Sequence, residues 1–584
     1  MDFAQSDLQP GRNRVRTSRH RIGHWLAQVP VRALPRFYFQ QQIHGELMAV
    51  FQARKIITMD PNCPQATHVA VRDGIVLAVG GADCGQAWGE DQIDARFADH
   101  VMLPGLIEAH AHVMAGGIWR HRYLGHFERT DPDGRVWQGI TETDRILEQL
   151  REESDNDAVG PIIGWGYDPR FVRGPEINRH MLDGLSTRRA VIILHSNFHV
   201  LTANRVALDG AGITESSNIE GICRADDGTL TGELQEFAAM EPVLGFAGLT
   251  FSDLSDEDSV RAYGRLARIS GVTTIADLNS DLLDTETRML ERVTADPAFP
   301  VRYAPIMAAT NIDPEEAASR AVALRHRSTR KLHLGAAKLF TDGAIQGRTA
   351  QLKPPGYLTG KDCGIWNMDP EDFRRSVRIL HQAGVKTHIH ANGDAATELC
   401  ISAYESAIAA SPNPDLRHTI EHAQLAGIDQ FKRMKALGLT VNLFANHVHY
   451  FGDIHWSTSL GPDRARRMDA CADAWQIFDG DFAIHSDAPV TPLNPLRTAW
   501  CAVNRITAGG RQLGETQKIS VAQALRCITL GAAHVLHMDG LIGSIQCGKF
   551  ADFCILENDP LDAHPEEFAD IPVKATVLGG QVMS

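Results

Sequence analysis

The chain has 584 residues, of which 43% are hydrophobic and 22% are charged. This composition is typical of a globular protein with a large core and argues against a disordered chain. Acidic residues (72) outnumber basic ones (57), and the net charge of −15 disfavours a nucleic-acid or anionic-membrane partner. The 26 histidines are the one unusual count, because histidine is the commonest metal ligand in proteins.

Targeting signals are scarce. No run of about 18 apolar residues predicts a transmembrane helix, and no apolar core follows the N-terminal charges as in a secretory signal. The ten cysteines contain no C-x-x-C pair, so we expect reduced thiols and a cytoplasmic protein.

Residues 1–45 form an arginine-rich extension. It is interpreted as a targeting or partner-binding arm, as a contact in a homodimer, or as sequence ahead of a true start at Met48.

Short strands are predicted at both ends of the chain. From Met48 the sequence alternates apolar and polar residues between turn signals, and the same pattern returns near the C-terminus. We therefore expect one small β domain built from residues 46–103 and 535–584.

The middle of the chain alternates apolar strands with amphipathic helical stretches. GVTTIADL, GAAKLF and GVKTHIHA are examples of the strands, and PEDFRRSVRILHQAG is one of the helices. Strand–helix alternation over this length predicts a parallel sheet closed into a (β/α)8 barrel, which we assign to residues 104–534.

Two of these strands end in residues with metal chemistry. LPGLIEAHAH ends in His110 and His112, whose i, i+2 spacing puts both rings on one side of a strand. GAAKLF carries Lys338. A buried lysine is costly unless it is paired or modified, so Lys338 is either salt-bridged or carboxylated by CO₂ into an anionic ligand.

Three further strand ends follow in chain order. HIHANGD carries His388 and His390, RHTIEHAQL carries His418 and His422, and FAIHSDAP ends in Asp487. Taken singly, each of these residues is more typical of a structural than of a catalytic role.

The five motifs are more informative together. Barrel active sites form at the carboxyl ends of the strands, and all five motifs end predicted strands. Their order therefore predicts a metal centre with an aspartate base. A metal-free glycosidase is disfavoured, because it requires paired carboxylates where this chain has histidines.

These motifs resemble the metal-dependent amidohydrolase superfamily. The similarity covers about residues 48–584, and the nearest branch is amidohydrolase family 3 of the YtcJ-like type, which includes N-substituted formamide deformylase. The resemblance implies a TIM barrel, a composite β-sandwich from both chain ends, and a long insertion around 115–270. We expect that insertion to be a helix-rich cover over the active site.

The resemblance also implies a ligand set. His110, His112 and Asp487 hold one divalent ion, His390 and His422 hold a second, and carboxylated Lys338 bridges them. Zn²⁺ suits these ligands best, and a single-metal site is the alternative. Asp487 also acts as the catalytic base.

Substrate contacts are predicted outside this set, at His199, Arg348, His447 and Trp119. His199 lies in NFHVLTANRVAL, which resembles a family segment. Many relatives read Q-P-x-H near His447, whereas this chain reads NLFANH, so its substrate-facing surface departs from the family pattern.

The function implied is hydrolysis of a carbon–nitrogen bond in a small molecule, such as an amide or a formamide. Deamination and hydrolysis of a cyclic amide or carbamate are alternatives on the same site. A non-catalytic scaffold is disfavoured, because every matched ligand position is filled.

Overall fold

The computed structural model describes residues 48–88, 92–154, 159–250, 252–358, 360, 363–413 and 415–583. The predicted extension 1–45 therefore lies outside the described residues. No helix in the described ranges is both long and apolar enough to cross a bilayer.

An eight-stranded parallel sheet forms the centre of the molecule, with its strands hydrogen-bonded in chain order. The first to eighth strands are Leu106–Ala111, Val272–Ser280, Arg302–Ala308, Ala337–Phe340, Thr387–Ala391, Thr419–His422, Thr440–Leu443 and Ala483–Ile484. Both faces of these strands are almost entirely buried, as expected for a parallel sheet covered by helices. The predicted barrel is confirmed.

Helices follow the barrel strands and pack around them. They include Glu257–Ile269, Asp284–Ala295, Pro314–Arg325, Pro370–Gln382, Asp394–Ala410, Ile428–Ala436, Cys471–Phe478, Pro495–Asn504, Val521–Cys527 and Leu530–Val535. The helix Pro370–Gln382 shows how the sequence determines where a helix begins. The side chain of Asp369 accepts a hydrogen bond from the amide of Glu371, and a proline occupies the first turn. Phe373, Val377 and Leu380 then recur at helical spacing and are buried.

Two backbone hydrogen bonds close the barrel between its first strand and the segment after its eighth. The amide of Asp487 donates to the carbonyl of His110 (3.0 Å), and the amide of His112 donates to the carbonyl of Ala488 (2.9 Å). These bonds place the carboxylate of Asp487 beside the two histidines.

A seven-stranded sheet joins the two ends of the described chain. In spatial order its strands are Gln581–Met583, Val573–Leu578, Phe553–Leu556, Ile93–Pro104, Met48–Ile57, Gln65–Arg72 and Ile75–Gly80. The additional β domain built from both ends of the chain is thus confirmed. The predicted domain boundaries, after residue 103 and before residue 535, stay a proposal.

The segment between the first two barrel strands has its own core. It contains a six-stranded sheet, in spatial order Ile222–Arg224, Leu230–Gln235, Val200–Ala203, Val191–His195, Ile162–Tyr167 and Arg122–Tyr123. A hairpin, Arg129–Thr130 and Val136–Trp137, and the helices Met114–Gly117, Thr143–Ser154, Arg179–Asp183, Arg205–Gly210 and Glu236–Ala247 complete it. Besides the helices expected for the insertion, this segment contains a sheet, because apolar runs such as VIILH pair as buried strands.

A buried ion pair links the barrel to the terminal sheet. Nε of Arg302 lies 2.6 Å from Oδ2 of Asp552, and Nη2 lies 2.9 Å from Oδ1.

We expect Arg302→Met to lower the free energy of unfolding by about 3–5 kcal/mol, because it leaves a buried carboxylate without its partner.

Urea denaturation followed by fluorescence measures this loss. The control is Arg288→Met, which breaks an exposed pair with Asp284 and is expected to cost less than about 1 kcal/mol. Equal losses for the two variants would contradict the structural role of the Arg302 pair.

Candidate metal centre

The predicted metal ligands meet at one end of the barrel. They lie at the carboxyl ends of the first, fourth, fifth, sixth and eighth strands, and are His110, His112, Lys338, His390, His422 and Asp487. Since the strands are parallel, their carboxyl ends all lie on one side of the barrel.

His110, His112 and Asp487 form the first donor group, with ligand atoms within 4.8 Å of one another. Oδ1 of Asp487 lies 3.1 Å from Nε2 of His112 and 3.4 Å from Nε2 of His110. Burial alone would raise the pKa of Asp487, but the two rings hold it well below its usual range. The carboxylate is therefore ionised at neutral pH.

His390 and His422 form a second pair of donors. Nδ1 of His390 and Nε2 of His422 lie 3.1 Å apart. Burial lowers the pKa of His390 to about 3 and holds that of His422 well below the ordinary value. Both rings are therefore neutral at pH 7, which is the form that binds a metal ion.

Lys338 lies fully buried on the fourth strand. Its Nζ has no hydrogen-bond partner within the described structure and lies 5.0 Å from the centre of the Phe340 ring. Burial lowers its pKa to about 8, although the carboxylates of Glu421 and Asp487 oppose the shift. A salt bridge is therefore not what holds this amine, and its neutral form is accessible near neutral pH.

The backbone is strained where two of these residues sit. His422 has φ of 68° and Asp487 has φ of 51°, in the left-handed region that non-glycine residues seldom adopt. In a regular strand Glu421 and His422 would point to opposite faces. The turn at His422 lets both side chains reach the ring cluster, and strain of this kind concentrates at functional sites.

Sequence reasoning missed several residues of the centre. Nε2 of His485 lies 3.0 Å from Nδ1 of His422, and His110, His422 and His485 form a further group of potential ligands. Oδ1 of Asp277, in the carboxyl-terminal half of the second strand, lies 3.8 Å from Nδ1 of His112. Two signals were available in the sequence. His485 precedes Asp487 by two residues, the same spacing as His110 and His112, and the apolar run GVTTIA is followed directly by Asp277.

Glu421 also belongs to the centre. Its carboxylate lies 2.7 Å from Nδ1 of His110 and 2.6 Å from Nδ1 of His388. Burial alone would raise its pKa, but these two rings hold it well below the ordinary value.

The donor set fits a divalent metal. Imidazole nitrogens and a carboxylate are the ligands that zinc accepts, and manganese, iron and cobalt accept them as well. A buried, unpaired Lys338 amine and the buried Nδ1 of His485 are polar atoms without partners in the described residues. The arrangement is a candidate metal site.

Two of the four predicted substrate contacts, His447 and His199, lie near the metal centre. His447 is buried, with its ring centre 4.3 Å from that of Phe444, which stacks on His485 at 4.8 Å. His199 is half-buried, with Nδ1 3.0 Å from Oε2 of Glu236, and it lies close enough to His390 to influence the pKa of that ring. Both therefore lie near the centre.

Arg348 and Trp119 lie elsewhere. Arg348 is exposed on the loop after the fourth strand, with φ of 58°. Trp119 packs edge-on against Trp165 at 5.0 Å and lines a cavity of about 310 Å³. Ala488, directly after Asp487, also lines that cavity.

Comparison with known proteins gives a consistent result. Residues 93–584 match the model of the Amidohydrolase family. The chain is 28% identical to Protein LONG AFTER FAR-RED 3 of Arabidopsis thaliana, covering 90% of each chain. It is 26% identical to the putative amidohydrolase YtcJ of Bacillus subtilis (92% of this chain, 99% of the relative). It is 24% identical to N-substituted formamide deformylase of Arthrobacter pascens (92% and 97%).

A solved structure shares the fold. An uncharacterized metal-dependent hydrolase from Pyrococcus horikoshii superposes with a TM-score of 0.69 at 21% identity, covering 89% of this chain and 99% of that one.

Proposed function

The chain belongs to the amidohydrolase family and is a hydrolase, and from this membership we propose that it cleaves a carbon–nitrogen bond of a small-molecule amide or formamide. One observation carries the proposal: His110, His112 and Asp487 converge beside His390, His422 and the buried Lys338. The full-length similarity to N-substituted formamide deformylase supports the substrate class.

Two divalent ions, most suitably Zn²⁺, are proposed to occupy this centre. His110, His112 and Asp487 would hold one ion, His390 and His422 would hold the other, and Lys338 in carboxylated form would supply a ligand shared by both. When bound, such ions lower the pKa of water towards neutrality and polarise a substrate carbonyl. The alternative is a single ion held by Asp487 with histidines from His110, His112, His390 and His422, and the metal content per chain distinguishes the two.

Asp487 is proposed to move the proton. Its ionised carboxylate takes a proton from the water that attacks the carbonyl carbon. The carbon–nitrogen bond then breaks, and Asp487 returns the proton to the leaving amine. Its contact with His112 keeps the carboxylate in place. Burial alone would lower the pKa of that histidine, but the carboxylates of Asp277 and Asp487 raise it to about 9.

Substrate orientation is proposed to involve His447 and His199, the two predicted contacts that lie near the centre. Nδ1 of His447 lies 3.2 Å from Nε2 of His455, and Nε2 of His447 has no partner in the described structure. This nitrogen is suited to a hydrogen bond with substrate. The cavity lined by Trp119 also carries charged side chains, among them Glu128 and Arg129, and is proposed to hold a substituent of the substrate. Arg348, on the exposed loop after the fourth strand, is proposed as a further contact.

A cytoplasmic location and a homodimer stay proposals. Half of the cysteines, including Cys400 and Cys471, are buried, and none of the ten is in a disulfide in the described chain.

Metal removal tests the proposed function. We expect chelator-treated protein to lose hydrolysis of formamides and N-acyl amines, and added Zn²⁺ or Mn²⁺ to restore it. Elemental analysis counts the metal per chain, where two equivalents support the bridged centre and one supports the alternative. Unchanged activity with under about a tenth of an equivalent of metal would overturn the mechanism.

Replacement of Asp487 tests the proton transfer. Asp487→Asn is expected to reduce turnover by about 10²–10⁴-fold, because an amide cannot accept the proton, while most of the metal is retained. The control is Asp479→Asn, which also changes an aspartate of positive φ but at an exposed position. Wild-type turnover by Asp487→Asn would remove this residue from the base role.

Carboxylation of Lys338 is measurable by carbon NMR. The protein incubated with ¹³C-labelled bicarbonate is expected to show a carbamate signal that Lys338→Met lacks. Only the neutral amine reacts with CO₂, so at constant dissolved CO₂ the rate of signal formation should rise as pH increases through about 8. A spectrum identical in both proteins would contradict the bridging lysine.

A further inference from the structure

The side chain of Glu421 joins four strands of the barrel. Its carboxylate accepts hydrogen bonds from Nδ1 of His110 (2.7 Å), Nδ1 of His388 (2.6 Å) and Nδ2 of Asn442 (2.9 Å). All four side chains are almost completely buried. His388 and Asn442 lie on the strands flanking Glu421, whereas His110 lies on the first strand.

This carboxylate dictates where His110 carries its proton. A neutral imidazole has one N–H and one lone pair, and an ionised carboxylate can only accept. Nδ1 of His110 must therefore hold the hydrogen, and the lone pair is left on Nε2. Nε2 is the nitrogen that faces Asp487, at 3.4 Å.

We propose that Glu421 is a positioning residue of the metal centre, which fixes the tautomer and ring orientation of His110 so that Nε2 is available to a metal ion. The inference rests on the proposed function, because it requires His110 to be a ligand. Partners of this kind, outside the ligand shell, commonly govern metal affinity.

The neighbours of Glu421 support a fixed rather than a mobile carboxylate. Asn442 donates to the same oxygen as His110, and His388 engages the other oxygen. The carboxylate of Glu421 is thus held by hydrogen bonds from both flanking strands, independently of its contact with His110. Strands five to seven therefore set the orientation of a ligand that belongs to strand one.

Zinc affinity of the metal-free protein is the direct test, measured by competition with a chromophoric chelator. Glu421→Gln keeps the size but removes the charge and offers an oxygen to only one ring, so we expect roughly tenfold weaker binding. Glu421→Leu removes every acceptor, and a loss of roughly 100-fold is expected. Circular dichroism checks that each variant is folded, and Glu421→Gln alone decides the test if Glu421→Leu is not.

Glu108→Gln is the matched control. Glu108 is an equally buried carboxylate of the first strand, but it accepts from Oγ of Ser486 (2.7 Å) and the amide of His110 rather than from an imidazole. Its zinc affinity is expected to stay within about threefold of wild type, because Ser486 can reverse its hydrogen bond.

The outcomes separate two failures. Wild-type protein that binds no zinc would overturn the proposed function itself. Zinc binding by wild type with a loss below threefold in Glu421→Gln, or an equal loss in Glu108→Gln, would overturn the role of Glu421 alone. Co²⁺ gives a second readout, since its visible spectrum should change in Glu421→Gln but not in Glu108→Gln if the geometry at His110 changes.

Discussion

The closure of the barrel between its first and eighth strands is the constraint on which the centre depends. Asp487 and His112 each give a backbone amide to the opposite segment, to the carbonyls of His110 and Ala488. The residues involved are distant in sequence, yet two hydrogen bonds bring their side chains within ligand distance. Without this closure the first donor group would not exist, because Asp487 would not lie beside His110 and His112.

Burial imposes the second condition on this site. Ionisable groups in a low-dielectric interior are costly unless each charge meets a partner. The centre meets this condition by pairing: Asp487 faces two imidazoles, and Glu421 lies between His110 and His388. Lys338 is the exception, and its lowered pKa shows how burial favours the uncharged amine. Lys338 is also the residue whose neutral amine must react with CO₂ in the proposed mechanism.

The inserted segment contributes the surroundings of the centre. Its Phe127 packs edge-on against Tyr450 at 4.7 Å, and its Phe171 lies 6.5 Å from Phe451. Tyr450 and Phe451 follow the seventh barrel strand, close to His447. An aromatic boundary thus connects the insertion to the barrel, beside the segment NLFANH.

The sequence alone was sufficient to identify the barrel, the β domain of both chain ends and six candidate ligands, because strand periodicity and short motifs are local properties. It did not identify Glu421, Asp277 or His485 as parts of the centre, since their roles arise from contacts between strands far apart in the chain. It did not predict the sheet that the insertion contains beside its helices, because short apolar runs do not reveal their pairing partners. Only the tertiary structure decided which nitrogen of each ring faces the centre, as that depends on the hydrogen bond made by the other nitrogen.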